Sequence, residues 1–355
     1  MRNSIGRAVA RALAGLGVVA MLALPDTPRA AEPQRGGTLQ VGFSEDAKTL
    51  DPTFSIQWSE RQVLYLVYNT LLRMGTDFSL QPELAESWDI EEDGTRIVFH
   101  LREGVTFHDG TEFNAEVVKF NLERRMDEEI GSPQRKQLEG VVDSVEVIDE
   151  YTVAINTTEP SPPLLGFLAE RPGFMVSPAA VEKYGEDFGS NPVGTGPFVF
   201  KEWSRGSRIV VERNPDYWEE GLPYLDSVVF NDVAGAVVGI QRLQTGEIDY
   251  MDSLSPQNVQ LLDGVEGIRL DPITVGRWYS YQWQWENEPF NDPTLRKAIA
   301  HAIDRDRLND ATMGGKATIS DGPTPPSLWW FNNELEGYEY DPEKARALLA
   351  EAGYP

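Results

Sequence analysis

Side chains suited to covalent or metal chemistry are few in this chain, and their spacing limits what they can do. There is no Cys, which excludes disulfides, thiolate metal sites and Cys nucleophiles. Only His100, His108 and His301 carry imidazoles, and none stands in an H-E-x-x-H or other metal-ligand spacing. They are read as packed or hydrogen-bonded structural histidines. No G-x-S-x-G nucleophile elbow occurs. Gly194-Thr195-Gly196 has the glycines of a phosphate loop, but Pro197-Phe198 and a strand follow, not a helix carrying a Lys. It is read as a tight chain crossing. No catalytic residue, metal site or cofactor is expected.

Aromatic and amide side chains offer recognition instead. In Trp278-Tyr279-Ser280-Tyr281-Gln282-Trp283-Gln284-Trp285, strand periodicity puts Tyr279, Tyr281, Trp283 and Trp285 on one face. Trp278, Ser280, Gln282 and Gln284 share the other. Rigid aromatics beside amides suit a pocket that holds a small solute by stacking and hydrogen bonds. Trp329-Trp330 is a second aromatic pair, a binding surface if exposed and core if buried. Trp278, Tyr279, Ser280, Gln282, Trp329 and Trp330 are therefore candidate ligand contacts, with core packing the alternative for each.

The elements that must position these residues follow from pattern. Residues 37–43 alternate as a strand. A helix is expected from Ser59, with Gln62 completing a capping box and Val63, Leu66, Val67 and Leu71 at helical spacing. Residues 75–82 read as a loop. Residues 87–90, 96–101 and 105–107 read as strands, with Asp93-Gly94 as a hairpin turn. Asn114 caps a helix to Arg125, and 141–148 pairs with 152–156 as a second hairpin. A helix near 178–184 and strands over 198–203, 208–213 and 228–231 come next. A helix over 234–244 and strands over 268–273 and 278–285 follow. Asp292-Pro293 and Asp341-Pro342 each open a helix, and Asp304-Arg305-Asp306-Arg307 separates one helix from the next. There is no regular βαβ rhythm, which points to an α/β or α+β chain with more than one lobe.

Arg2, Arg7 and Arg11 precede an apolar run over 12–24 that Pro25 ends. The run is too short for a membrane span and reads as a cleavable signal peptide, with an N-terminal anchor helix as the alternative. Cleavage is expected near Ala30 or Ala31, without lipidation because there is no Cys. Formal charge is −26; residues 1–31 hold four Arg and one Asp, so the remainder sits at −29. That argues against nucleic acid or anionic lipid as partner, since both need a basic surface. With 41% apolar and 25% charged residues, a large core is available.

A series of ordered pieces carries a family resemblance. They begin with Gly36-Gly37-Thr38-Leu39, Thr49-Leu50-Asp51-Pro52 and Val67-Tyr68-Asn69-Thr70-Leu71-Leu72. Pro82-Glu83-Leu84-Ala85-Glu86-Ser87-Trp88 and Phe107-His108-Asp109-Gly110 follow. Val193-Gly194-Thr195-Gly196-Pro197-Phe198, Arg213-Asn214-Pro215-Asp216-Tyr217-Trp218 and Gly246-Glu247-Ile248-Asp249 come later, then Pro289-Phe290-Asn291-Asp292 and Asp341-Pro342-Glu343-Lys344-Ala345. In this order they resemble the bacterial extracellular solute-binding proteins of family 5, the peptide- and nickel-binding class of ABC transporters. The resemblance implies an α/β fold of periplasmic-binding-protein type II (Venus flytrap) with mixed sheets and an extra lobe. It implies a signal peptide at 1–31, lobe I at 36–72 and 190–270, lobe II at 73–189, and the start of lobe III at 271–355. It places Gln57 and Trp58 in a loop that approaches the ligand, and the strand at 278–285 beside the cleft.

Chains of that family run further than Pro355, so a C-terminally truncated member with an incomplete last lobe is expected. The groups that fix ligand charge in relatives would then lie beyond the end. The implied function is periplasmic delivery of a solute, foremost an oligopeptide, to an ABC permease and ATPase complex, without a stable membrane anchor and without nucleic acid. Nickel chelates, opines, haem and oligosaccharides stay open as solutes. A secreted hydrolase, a peptide-binding chaperone and a chemosensory receptor partner are the alternatives.

Overall fold

A computed structural model describes residues 33–354 except 44, 253, 272–278, 323–325 and 327–330. The expected signal peptide, Trp278, Trp329 and Trp330 lie outside these residues. Arg35–Pro355 forms one unit. In chain order it contains β1 (Thr38–Phe43), α1 (Trp58–Val67), β2 (Leu72–Met74), β3 (Leu80–Pro82), β4 (Ala85–Glu91) and β5 (Arg96–Leu101). Then come α2 (Ala115–Met126), α3 (Arg135–Leu138), β6 (Val142–Asp149), β7 (Thr152–Thr157), α4 (Pro163–Leu168) and α5 (Pro178–Tyr184). After these lie β8 (Phe198–Ser204), β9 (Arg208–Arg213), β10 (Ser227–Asp232), α6 (Ala236–Gln244), β11 (Tyr250–Met251) and α7 (Pro256–Val259). The last elements are α8 (Pro293–Ala302), α9 (Arg305–Met313) and α10 (Pro342–Glu351).

Two main sheets result. One has strand order β11-β1-β10-β9-β8. Its β1 runs parallel to both β10 and β11, while β9 is antiparallel to β10 and β8. The other is antiparallel throughout, in order β4-β5-β7-β6. Each sheet has its own core. Phe99, Val153 and Ile155 of the antiparallel sheet pack with Val118 and Leu122 of α2. Val41, Val211 and Phe230 of the mixed sheet pack with Leu64 and Val67 of α1 and with Phe188. Cα register pairs such as Val41↔Phe230 and Val228↔Val211 keep one apolar face of the mixed sheet turned to α1.

Helix starts follow the expected chemistry. Asn114 accepts from Val117 N, Ser177 from Ala180 N, Asp292 from Thr294 N and Asp341 from Lys344 N, each at the head of its helix. Asp304 likewise caps α9, so the charged run does separate two helices.

Several expectations are corrected. Residues 75–82 are not all loop, because Leu80–Pro82 pairs with Leu72–Met74 around a turn in which Phe78 takes φ 62°. Pro82 sits at the end of its strand, where the missing N–H is tolerated. Residues 105–107 form no strand; Thr106 only bridges Glu112. Neither 268–271 nor 279–285 is extended ladder. Alternation alone cannot hold a strand, and among the described residues no strand lies beside either segment. A further helix, Pro163–Leu168, opens on Pro163, the first position, where proline suits a helix, with Pro162 as the cap residue.

Candidate functional site

The site is built at the amino end of α1. The helix opens at Trp58, one residue before the expected Ser59. Gln57 is the extended cap residue. The Glu60 carboxylate reaches back and accepts from Ile56 N and Gln57 N, both at 2.9 Å. Its other oxygen accepts from Lys48 N at 3.0 Å and Thr49 N at 3.2 Å. A carboxylate in the first turn suits the helix dipole, and here it also fastens the chain that leaves β1. Ser59 sits inside the first turn, buried, with its Oγ unpartnered among the described residues.

This start places Trp58 and Gln62 four residues apart on one helix face, toward the carboxyl end of β11. There Asp252 follows Met251. Its Oδ2 accepts from Trp58 Nε1 at 2.7 Å and from Gln62 Nε2 at 3.0 Å. Glu45, beyond the end of the neighbouring strand β1, accepts from Gln57 Nε2 at 2.8 Å. Crevices beyond the carboxyl ends of parallel strands are the usual ligand positions of open α/β sheets.

A cavity of about 400 Å³ opens from this rim. Trp58, Gln62, Tyr250 and Asp252 supply its polar lining, and Leu39, Val41, Leu66, Phe198, Val228 and Phe230 are among its apolar lining. Burial pushes the Tyr250 phenol up, and the Asp252 charge adds to the shift. Trp58 is 49% exposed and Tyr250 50%, so both rings remain available to a solute.

Trp58 is braced from behind. The Arg61 guanidinium lies 5.3 Å from the Trp58 ring centre and 5.4 Å from that of Tyr65. Arg61 is ion-paired with Glu170, whose carboxyl is pushed up by burial against the pull of Arg61 and Arg171. Arg171 donates to Gln57 O at 3.0 Å. The arrangement can stack, hydrogen-bond and hold a positive charge; among the described residues of the rim, no nucleophile stands beside a base.

Of the residues proposed from sequence, Gln57 and Trp58 are on this rim. Tyr279, Ser280 and Gln282 lie on exposed irregular chain, with Tyr279 74% exposed. Nearby, Tyr281 stacks on Trp283 and Trp283 packs against Phe290. Gln62, Asp252, Tyr250 and Glu45 were missed. Gln62 carried a signal, its spacing of four from Trp58. Asp252 carried none, since its partners are 190 and 194 residues away.

A second polar cluster gathers the other motifs at the opposite end of α1. Asn69 Nδ2 donates to Glu83 Oε1 at 2.7 Å and to Tyr217 OH at 3.2 Å. Asn69 Oδ1 accepts from Thr195 Oγ1 at 3.0 Å and Trp218 Nε1 at 3.1 Å. Gly196 N donates to Val67 O at 2.9 Å, and a Cβ on Gly194 would stand 2.2 Å from that same oxygen. The glycines therefore allow two chain segments to cross in backbone contact. His108 Nε2 is 2.9 Å from Gly196 O, and Gly194 N donates to His108 Nδ1 at 3.4 Å. Nε2 must then carry the proton, which fixes His108 as neutral support for the crossing.

Comparison with known proteins places the chain in a class. A family model described as bacterial extracellular solute-binding proteins, family 5, matches residues 79–355. The glutathione-binding protein GsiB of Escherichia coli is 35% identical over 317 residues, covering 89% of this chain and 61% of that protein. The ABC transporter-associated periplasmic binding protein DppA of Helicobacter pylori, solved with the peptide STSA, superposes with TM-score 0.81 at 32% identity. That match covers 91% of this chain and 67% of DppA. AgaA of A. tumefacien, solved with agropinic acid, gives TM-score 0.78 at 31% identity, covering 90% of this chain and 65% of AgaA. The fold is thus the α/β type II periplasmic-binding-protein fold. The chain belongs to the family-5 bacterial extracellular solute-binding proteins and spans about three-fifths of the length of the curated relatives it matches.

Proposed function

We propose that this protein is the periplasmic solute-binding component of an ABC importer and that its solute is a small peptide. The observation that carries the reading is the Asp252 carboxylate, oriented by Trp58 and Gln62 at the mouth of an apolar cavity. Such a site recognises without reacting. Two of the proteins it resembles are named for, or solved with, peptides: glutathione for GsiB and STSA for DppA.

Residues 1–31 direct export through the Sec route. The chain works as lobes, at 36–72 with 190–270, at 73–189 and from 271 onward. Solute binds between lobes and favours closure by the contacts it makes only in the closed state, and the closed form docks on the permease.

Native mass spectrometry of the purified protein tests the reading. A retained, peptide-sized mass that denaturation releases is the expected result. Sustained hydrolysis of a peptide panel, or a protein that retains and binds no peptide, overturns it.

A further inference from the structure

We propose that Glu170 and Arg171, which lie outside the cavity lining, are positioning residues that set solute affinity by fixing the orientation of Trp58 and Gln57. The inference rests on the solute-binding reading above. Both residues stand at the head of the short 3-10 turn Arg171–Gly173, with Glu170 as its cap residue. They are 109 and 114 residues from their partners Arg61 and Gln57 in sequence.

The chain around this turn runs beside α1. Tyr65 OH donates to Ala169 O at 3.4 Å. Leu71 N donates to Gly173 O at 3.0 Å, and Met175 N to Asn69 O at 3.1 Å. The turn itself is tight. Gly173 N donates to Glu170 O at 2.8 Å, Phe174 N donates to Arg171 O at 3.3 Å, and a Cβ on Gly173 would stand 1.8 Å from Leu168 O. The two leading side chains are therefore presented from backbone that is already fixed, which is what the support of a recognition site requires.

Each side chain acts on one rim residue. Arg171 Nη2 donates to Gln57 O at 3.0 Å and to Ile56 O at 3.4 Å, and so holds the chain that enters α1 just before Trp58. Glu170 is ion-paired with Arg61, whose guanidinium lies 5.3 Å from the Trp58 ring centre. The Arg61 and Glu170 side chains are 24% and 33% exposed, so solvent screens the pair only in part. Trp58 itself is half exposed. When Arg61 no longer holds it from behind, the ring samples more orientations, and solute that stacks on it must first order it at a cost in affinity. A support that is only structural would change stability and leave both the ring and the affinity as they are.

Protein labelled with 5-fluorotryptophan reports on the ring by 19F NMR, the Trp58 signal being the one missing from Trp58→Phe. That signal is expected to shift in Glu170→Gln, which keeps an oxygen for Arg61 but loses the charge, and in Arg171→Met, while the other tryptophan signals stay. Isothermal titration with leucyl-leucine should show affinity reduced about threefold by each change, the size of a partly exposed ion pair. In a Trp58→Ala background Glu170→Gln should bring no further loss, because the ring it acts through is gone.

An unmoved Trp58 signal in either variant overturns the proposal. So does unchanged affinity for leucyl-leucine, or a Glu170→Gln loss that is undiminished without Trp58. Failure of the unaltered protein to bind leucyl-leucine overturns it too. A peptide-sized mass retained in native mass spectrometry then shows that solute binding stands and that only the positioning role falls.

Discussion

At the carboxyl end of α1, Asn69 meets Glu83, Thr195, Tyr217 and Trp218, and so uses both its donor and its acceptor capacity inside the chain. At the amino end, about 15 Å away along the helix, Asp252 spends one oxygen on Trp58 and Gln62 and, among the described residues, leaves the other open. The first cluster is buried, with Asn69 3% and Thr195 1% exposed; the second sits on a rim beside apolar surface. Buried polar groups are satisfied because leaving them unpaired is costly. A polar group held in orientation yet incompletely used is what a recognition site needs. One helix thus joins a saturated structural end to an end that, among the described residues, keeps an open carboxylate oxygen.

The most severe way to break this contrast is to force the crossing apart. A Cβ on Gly196 would lie 2.5 Å from Val67 C, 2.6 Å from Leu66 O and 2.7 Å from Tyr68 N, all backbone atoms that cannot rotate away. Gly196→Ala is expected to cost about 3 kcal/mol in urea denaturation. Gly166→Ala, where a Cβ meets nothing within 4 Å inside α4, should be neutral or slightly stabilising. Equal, small effects at both positions would show that the crossing has slack.

Asn69→Ala comes next. It leaves the Glu83 carboxylate, Thr195 hydroxyl and Trp218 indole without the partner they share, and should cost about 2 kcal/mol. Solute affinity should change little, because the rim lies at the other helix end. A binding loss larger than the stability loss would show that the two ends are coupled.

His108 gives the crossing a pH signature. Burial lowers its pKa below the ordinary His value, and the Gly196 carbonyl only partly opposes this. The unfolded chain therefore takes the proton first. The stability His108 contributes is complete above about pH 6.5 and is lost as pH falls through the folded-state value. Denaturation midpoints measured from pH 8 to pH 5 should fall more steeply for the unaltered protein than for His108→Gln. Parallel curves would remove His108 from the structural network.

The same contrast governs what could be read from sequence. Local signals were legible: Asn114, Asp292 and Asp341 head helices by the chemistry of their own side chains. The start of α1 was misread because Ser59 is the better cap by type, while the real fastening is Glu60 binding four backbone N–H groups, two of them from the chain after β1. The aromatic run at 278–285 has the alternation of a strand, but 279–285 lacks a partner among the described residues. Of the six side chains on the candidate rim, sequence pointed to two, Gln57 and Trp58. Asp252 was not legible, because its role comes from the parallel register of β11 with β1, a long-range pairing that leaves no trace beside it in the chain.

The smallest expected effect on stability sharpens the comparison most. Trp58 is 49% exposed, and its indole donates to a carboxylate that keeps Gln62 and solvent when the ring is gone. Its contact with Arg61 is shared with Tyr65, and Arg61 keeps Glu170. Trp58→Ala should therefore cost under about 1 kcal/mol of stability, the range of an exposed cation–π contact and a surface substitution. Binding should respond differently. The ring forms one wall of the cavity mouth and orients Asp252, so removing it takes away a stacking surface and half of that orientation at once. A loss of affinity of about tenfold is expected for leucyl-leucine. Trp58→Phe should recover the stacking part and leave the loss of the Nε1 donor. If Trp58→Ala instead melts as far below the unaltered protein as Asn69→Ala does, the amino end of α1 is scaffold like the carboxyl end.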